Sequence, residues 1–331
     1  MTSRIPHLLE PHLSLPPESS LVTLTSVLGA STNWLVLRHL HALLKPTTPS
    51  HQHHQQQQQP SYQTPHQNNS SDPDTSLEQQ DGGAETAVLL VSFLRDLPFW
   101  RENLSRLGID LDAAGRRGRF GFVDGLGAGL FASTAPPPQQ QQQQQRAAGQ
   151  GWERGLASAE PGEIGRVVLG EVERLRRSSS TVVAGDGEGR RERRVVVVMD
   201  GLDFVLAALD PGLGMGQGQQ GVGEASGTAI AMKEMLMELR EKTHAAIVTL
   251  AADDPLIKEQ ETTLEKQHAW FALNLAHEAD MVISLRLLDT GAAKDVSGVI
   301  RITHRGARTK DHEYLYHVGG DGGVRVFERG Q

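Results

Sequence analysis

"SVLGASTNWLVLRHLHALL", residues 26 to 44, decides the fold. It reads as the end of a strand, a turn of small residues around one glycine, and then a helix. Upstream, "SLVTLTSV" (20 to 27) is β-branched and apolar, as a buried strand requires. Downstream, a helix over 33 to 44 is stopped by Pro46. That succession is the outline of a phosphate-binding loop, where free amides at a helix start attract an anion. A working loop has the form GxxxxGK[ST], with backbone N–H groups cradling phosphate and a lysine neutralising it. Here Gly29, Ser31 and Thr32 occupy the turn without a lysine, and no lysine anywhere in the chain follows a glycine. The shape is present and the neutralising charge is not. The loop is therefore read as degenerate, with no nucleotide cofactor.

Outward from this unit the pattern repeats. "TAVLLVSF" (86 to 93) is a near-continuous apolar run, typical of a strand covered on both faces. "LPFWRENLSRLGI" follows as an amphipathic segment, and "GRFGFVDGLGAGLF" (118 to 131) supplies a short strand. A helix over 163 to 176 sets Ile164, Val167, Val168, Val172 and Leu175 along one face. "VVVVMDGLDFVLAAL" (195 to 209) is a buried strand running into a helix. A helix over 228 to 243, a strand "AAIVTLAA" (245 to 252) and a helix over 258 to 279 continue the alternation. Three closely spaced strands end the chain: "DMVISLRLL", "GVIRITHR" and the hairpin "HEYLYHVGGDGGVRVFER", whose "GGDGG" turn tolerates positive φ. Alternating strands and helices imply a parallel sheet with helices on both faces. The expected class is α/β: a RecA-like three-layer domain, mostly parallel, with a C-terminal antiparallel meander and hairpin.

Composition fits one such domain over residues 1–331, interrupted by low-complexity insertions at 46–83, 136–150, 178–193 and 211–227. Hydrophobic content is 38% and aromatic content 5%, and the Gln-, Pro-, Ser- and Gly-rich insertions account for that deficit. A net charge of −8 argues against a protein that coats nucleic acid by itself. With no cysteine, disulfides and thiolate zinc sites are excluded. "MTSRIPHLLEPHLSLPPESS" lacks the apolar core of a signal peptide, and "AAIVTLAA" is far short of the roughly 18 residues a membrane span needs. A soluble, intracellular protein without membrane contact is expected.

Other candidate chemistry is sparse. Asp200, ending "RVVVVMD", stands where P-loop ATPases hold magnesium, a degenerate Walker-B-like position; the competing reading is that Asp200 or Asp203 caps the following helix. The strand at 86 to 93 leads into Phe93, Leu94 and Arg95, so no glutamate is placed to activate water. "DGLGAGL" (124 to 130) has the glycines of a dinucleotide fingerprint but no helix behind it. "HQHH" (51 to 54) lies in a glutamine tract without partner ligands, and no nucleophile-elbow motif occurs. No catalytic residue and no metal site are assigned, and the chain is not expected to be an enzyme. Arg116, Arg117 and Arg119, the group Arg190, Arg191, Arg193 and Arg194, and the late group Arg301, Arg305, Arg308 and Lys310 are basic clusters. Arg116, Arg117, Arg119, Arg301, Arg305 and Arg308 are the RNA-facing candidates; a solvated charged flank is the plainer reading of each cluster. Trp270, Phe271, Lys294 and Asp295 are candidates for an interface, with simple core packing as the alternative for the two aromatics.

"AAKDVSGVIRITHRG", followed by "HEYLYHVGGDGGVRVFERG", resembles the end of the Elongator subunit six family. "AVLLVSFLRDLPFWRENLSRLGIDL" is similar to that family's second strand and helix, and "VVVVMDGLDFVLAAL" to its central strand. Polar insertions of this kind suit a fungal member. The resemblance implies a RecA-like fold without functional Walker motifs, in a hetero-hexameric ring with two copies each of subunits four, five and six. It implies that the ring joins the larger Elongator assembly, which starts carboxymethyl-type modification of the transfer RNA wobble uridine. The ring would bind transfer RNA and release it on nucleotide hydrolysis, while the radical chemistry lies in another subunit. By this reading the chain is a non-catalytic structural and RNA-handling subunit, cytoplasmic and also nuclear. An autonomous RecA-type ATPase and a stand-alone RNA-binding module are the competing readings.

Overall fold

Ser20–Ser26 (β1) lies in the middle of a ten-stranded sheet in the computed structural model, which describes residues 5–45, 85–126, 151–178, 192–210, 227–288, 293–306 and 311–328. A short helix, Glu10–Leu13 (α1), precedes β1, and Asn33–Leu44 (α2) follows it. Next come Thr86–Ser92 (β2), Leu97–Arg106 (α3), Leu111–Arg116 (α4), Phe120–Asp124 (β3) and Glu153–Gly155 (β4). Pro161–Arg177 (α5), Arg194–Asp200 (β5), Phe204–Ala208 (α6) and Gly227–Lys242 (α7) continue the chain. Ala245–Ala251 (β6) and Thr263–Glu278 (α8) then lead to Met281–Arg286 (β7), Gly298–His304 (β8), His312–Val318 (β9) and Val324–Phe327 (β10).

The strand order is β10-β9-β8-β7-β1-β6-β5-β2-β3-β4. Neighbours from β7 to β4 pair in parallel, and β7 to β10 pair antiparallel. This is the RecA-like three-layer α/β arrangement expected from the sequence.

The apolar runs explain why the middle strands are parallel and covered twice. Along β5, Val196 and Val198 enter the core under α2 and α3, while Val195, Val197 and Met199 enter the core under α5 and α7. Strand β2 divides the same way, Val88 and Leu90 to one side and Ala87, Leu89 and Val91 to the other. Each such valine, leucine or methionine contributes on the order of 1.5–3 kcal/mol by leaving water. The antiparallel end differs. In β7, Met281, Ile283 and Leu285 are buried while Val282, Ser284 and Arg286 are half-buried, the alternation of a sheet covered on one face. The "GGDGG" turn joins β9 to β10 with Gly322 at φ +77°. Arg38 of α2 donates from Nη2 to the Gly322 carbonyl at 2.9 Å, tying that helix to the last hairpin.

Several boundaries differ from the sequence-based expectation. Helix 258 to 279 starts only at Thr263, because Thr262 and Glu265 form a capping box there. Residues Pro255–Glu259 instead make a separate π-helical turn, ended by Gln260 at φ +50°. The insertion set at 178–193 is shorter: Ser178 closes α5 through the Arg174 carbonyl, and Arg193 is buried against Glu85 at 2.7 Å. Gly227, placed in the last insertion, already belongs to α7. Insertions 46–83 and 136–150 and residues 211–226 lie outside the described residues, as do "HQHH" and the end of "DGLGAGL". Three elements were not anticipated, α1, α4 and β4; α4 is capped by Asp110, whose carboxylate accepts from the Ala113 amide at 2.9 Å. Among the described residues, no helix is long and apolar enough to cross a membrane.

Candidate functional site

Parallel α/β sheets place ligands at the carboxyl ends of their strands. At that edge β1 runs into the degenerate loop, where Gly29 takes φ +89°. An ideal Cβ at Gly29 would lie 3.6 Å from both methyls of Leu287, which follows β7 and packs over the turn. Ser31 Oγ accepts from the Asn33 amide at 3.2 Å, and the Thr32 carbonyl accepts the first helical bonds of α2. The amide of Leu28 is also engaged. It donates to Asp253 Oδ1 at 2.7 Å, so a carboxylate beyond β6 serves as the anion that the loop would otherwise offer to phosphate. The Leu28 side chain is 85% exposed at the tip of the turn.

Asp200 ends β5 and is completely buried. The Ser92 hydroxyl donates to its Oδ2 at 3.0 Å, and the Thr249 hydroxyl donates to its Oδ1 at 3.3 Å. Ser92 in turn accepts from the Trp100 indole at 3.2 Å and from the Arg95 amide at 3.1 Å, while Thr249 accepts from the Gly201 amide at 2.7 Å. These bonds lace β2, β5 and β6 together at their ends. Burial pushes the Asp200 carboxyl up to about 6, against the pull of Ser92, Arg95 and Thr249. Neither aspartate caps α6. Asp203 stands at the cap position but turns its carboxylate to the Ala251 amide at 3.0 Å, and burial raises its pKa as well. The two oxygens of Asp200 are thus engaged by strand-end hydroxyls, not by the loop's Ser31 or Thr32.

The basic candidates separate. Arg116 and Arg117 are exposed at the end of α4. Arg119 is largely buried, ion-paired with Glu85 at 3.2 Å and donating to the Thr86 carbonyl, so its guanidinium faces inward. Arg301 is exposed on β8 and paired with Asp311 at 2.5 Å. Arg305 is exposed and donates to the Glu278 carbonyl at 3.2 Å. Arg308 lies outside the described residues. Strands β3 and β8 are six spacings apart in the sheet, about 29 Å, so the structure does not bring the early and late arginines together.

The interface candidates also divide. Phe271 is 0% exposed and sits in the core with Leu236, Val248 and Leu275, which removes it from any surface. Trp270, one position on, is 39% exposed and lies under Lys233, whose Nζ is 5.7 Å from the ring centroid. Lys294 and Asp295 are exposed in the turn before β8. Sequence reading passed over Asp253, Ser92 and Thr249. No local pattern marks them, because each acts on a partner in another strand unit.

No protein-family model matches the sequence, and no curated protein sequence is significantly similar to it. Solved structures match distantly over the whole length. An uncharacterized protein of Pyrococcus horikoshii, crystallised in complex with an unknown peptide, has a TM-score of 0.50 at 12% identity, with 100% of both chains covered. A KaiC-like protein from the hyperthermophilic archaeon Pyrococcus horikoshii OT3 has a TM-score of 0.48 at 13% identity, covering 98% of this chain and 97% of that one. At such identities a likeness concerns the fold alone.

Proposed function

We propose that this chain is a non-catalytic, structural and RNA-handling subunit of an Elongator-type hetero-hexameric ring, packed beside subunits four and five. The observation that carries the reading is the occupied phosphate-loop position. Leu28 N–H is held by Asp253, Asp200 by Ser92 and Thr249, and no lysine stands in the loop. A RecA-like unit that has kept its sheet without phosphate chemistry serves most simply as a packing partner. In rings of such domains the edge of one subunit faces the nucleotide face of the next. Leu28, Leu94 and Leu287 are exposed at that face, and apolar side chains of this kind suit a permanent protein neighbour. A net charge of −8 speaks against the chain holding transfer RNA alone, so RNA handling and its coupling to wobble-uridine modification belong to the assembled ring. The cytoplasm, with the nucleus in addition, is the location that the resemblance implies for that assembly.

The test is the mass of the chain alone and after co-expression with Elongator subunits four and five. A stable hetero-hexamer with two copies of each chain is expected. A monomer that ignores those partners and hydrolyses ATP would overturn the reading.

A further inference from the structure

At the opposite edge of the sheet, where the chain enters β3 and β4, lies a cavity of about 610 Å³. Gly115, Arg116, Arg117, Trp152, Arg174 and Ser178 line it, and no carboxylate does among the described residues. Its walls have local causes. Gly115 lets the Trp152 indole lie against α4, since an ideal Cβ there would meet the ring at 2.5 Å. Gly118, at φ +67°, turns the chain from α4 into β3 and offers its carbonyl to Arg193 at 2.9 Å. Ser178 closes α5 beside it.

Positive charge is in excess here. Glu85 is shared between Arg119 at 3.2 Å and Arg193 at 2.7 Å, and Glu171 between Arg154 and Arg174. Arg116 and Arg117 form no ion pair among the described residues. The pKa of Arg119 is lowered chiefly by burial, and Arg193 and Arg117 add to this while Glu85 opposes it, so like charges crowd this corner. Helices α4 and α5 both end nearby, and their dipoles offset roughly half a charge each, which leaves the balance positive. Among the described residues, Nη2 of Arg174 is shut away from water without a hydrogen-bond acceptor.

We propose that this cavity is a phosphate-binding site, which takes the phosphoryl oxygens of a nucleic-acid backbone or of a free phosphate compound through Arg116, Arg117 and Arg174. Guanidinium forks match tetrahedral phosphate oxygens two at a time, and three of them around one recess give more donors than a lone carboxylate needs. The volume admits a phosphate with part of the group it is attached to. The site lies across the sheet from the degenerate loop and requires no ring partner, so it stands or falls separately from the assembly proposed above.

The experiment uses the full chain alone. Binding of a fluorescein-labelled oligouridylate is followed by anisotropy between about 50 and 200 mM salt, and binding of inorganic pyrophosphate by calorimetry. At least one probe is expected to bind at low salt and to weaken as salt rises. The double variant R116E/R117E, at exposed positions, is expected to weaken that binding about tenfold or more while melting like the wild type. Arg174→Gln should weaken it in the same direction. Oligouridylate binding that millimolar pyrophosphate does not displace assigns the backbone as the source. Pyrophosphate binding without oligouridylate binding assigns a free phosphate compound. No binding of either probe at low salt overturns the proposal, and so does binding that R116E/R117E leaves unchanged.

Discussion

At the C-terminal edge of the parallel strands, Asp200 and Asp203 are met by hydroxyls and amides from neighbouring strand ends, whereas at the N-terminal edge guanidinium groups outnumber the carboxylates that face them. The first edge is where this architecture ordinarily puts its chemistry. Here it is a closed network with an apolar rim, while the less usual edge keeps a recess lined by arginines. Position in a fold therefore does not decide which edge meets a ligand. The decision rests on whether the polar groups placed there already have partners.

The comparison breaks most easily at Ser92. Ser92→Ala removes the acceptor for the Trp100 indole N–H and the Arg95 amide, together with one donor to Asp200. We expect a loss of about 3–4 kcal/mol in urea unfolding, the effect of stranding buried polar groups. A loss below about 1 kcal/mol would show that this network does not hold the edge together.

Next comes Asp200 itself. Burial raises its pKa in the folded chain from 3.8 to about 6, so ionisation is resisted more when folded than when unfolded. The wild type therefore loses stability as pH rises through that window, and the penalty is complete above about pH 6. Asp200→Asn has no charge to bury. Relative to wild type it should gain up to about 3 kcal/mol above the window and nothing below it. Unfolding midpoints on either side of the window check the sign.

A smaller effect is expected at Asp253. Asp253→Ala frees the Leu28 amide and should cost about 1 kcal/mol, because the amide regains water at an exposed turn. ATP turnover is expected neither in the wild type nor in this variant, since no lysine stands in the loop of either. Appearance of turnover would mean that the aspartate alone silences the loop. The smallest change in stability belongs to the other edge. R116E/R117E should shift unfolding by no more than about 0.5 kcal/mol, as substitutions at exposed positions do.

Much of the fold was legible from short-range signals. The strand at 20 to 26, the glycine turn and the helix from Asn33 to Leu44 follow from an apolar run, a small-residue turn and a proline stop within one stretch. The final antiparallel strands follow from their close spacing and the "GGDGG" turn. The candidate site was legible only by subtraction: the missing lysine can be read directly, but what replaces phosphate cannot. Arg193 looked like part of a charged insertion because its neighbours are polar, yet Glu85, 108 residues away, draws it into the interior. Trp270 and Phe271 have adjacent places and similar chemistry, and helix phase against β6 and α7 sends one to the surface and one to the core.

By itself the sequence determined the order and type of the long elements and the loss of a lysine-bearing loop, because periodicity and turn chemistry act over a few residues. The tertiary structure alone decided that Asp253 would fill the loop from 225 residues away, that Ser92 and Thr249 would close around Asp200, and that arginines from α4 and α5 would share one recess. Hydrogen bonds and charges are satisfied by whatever lies within about 3 Å, and only strand order and register bring such distant residues that close.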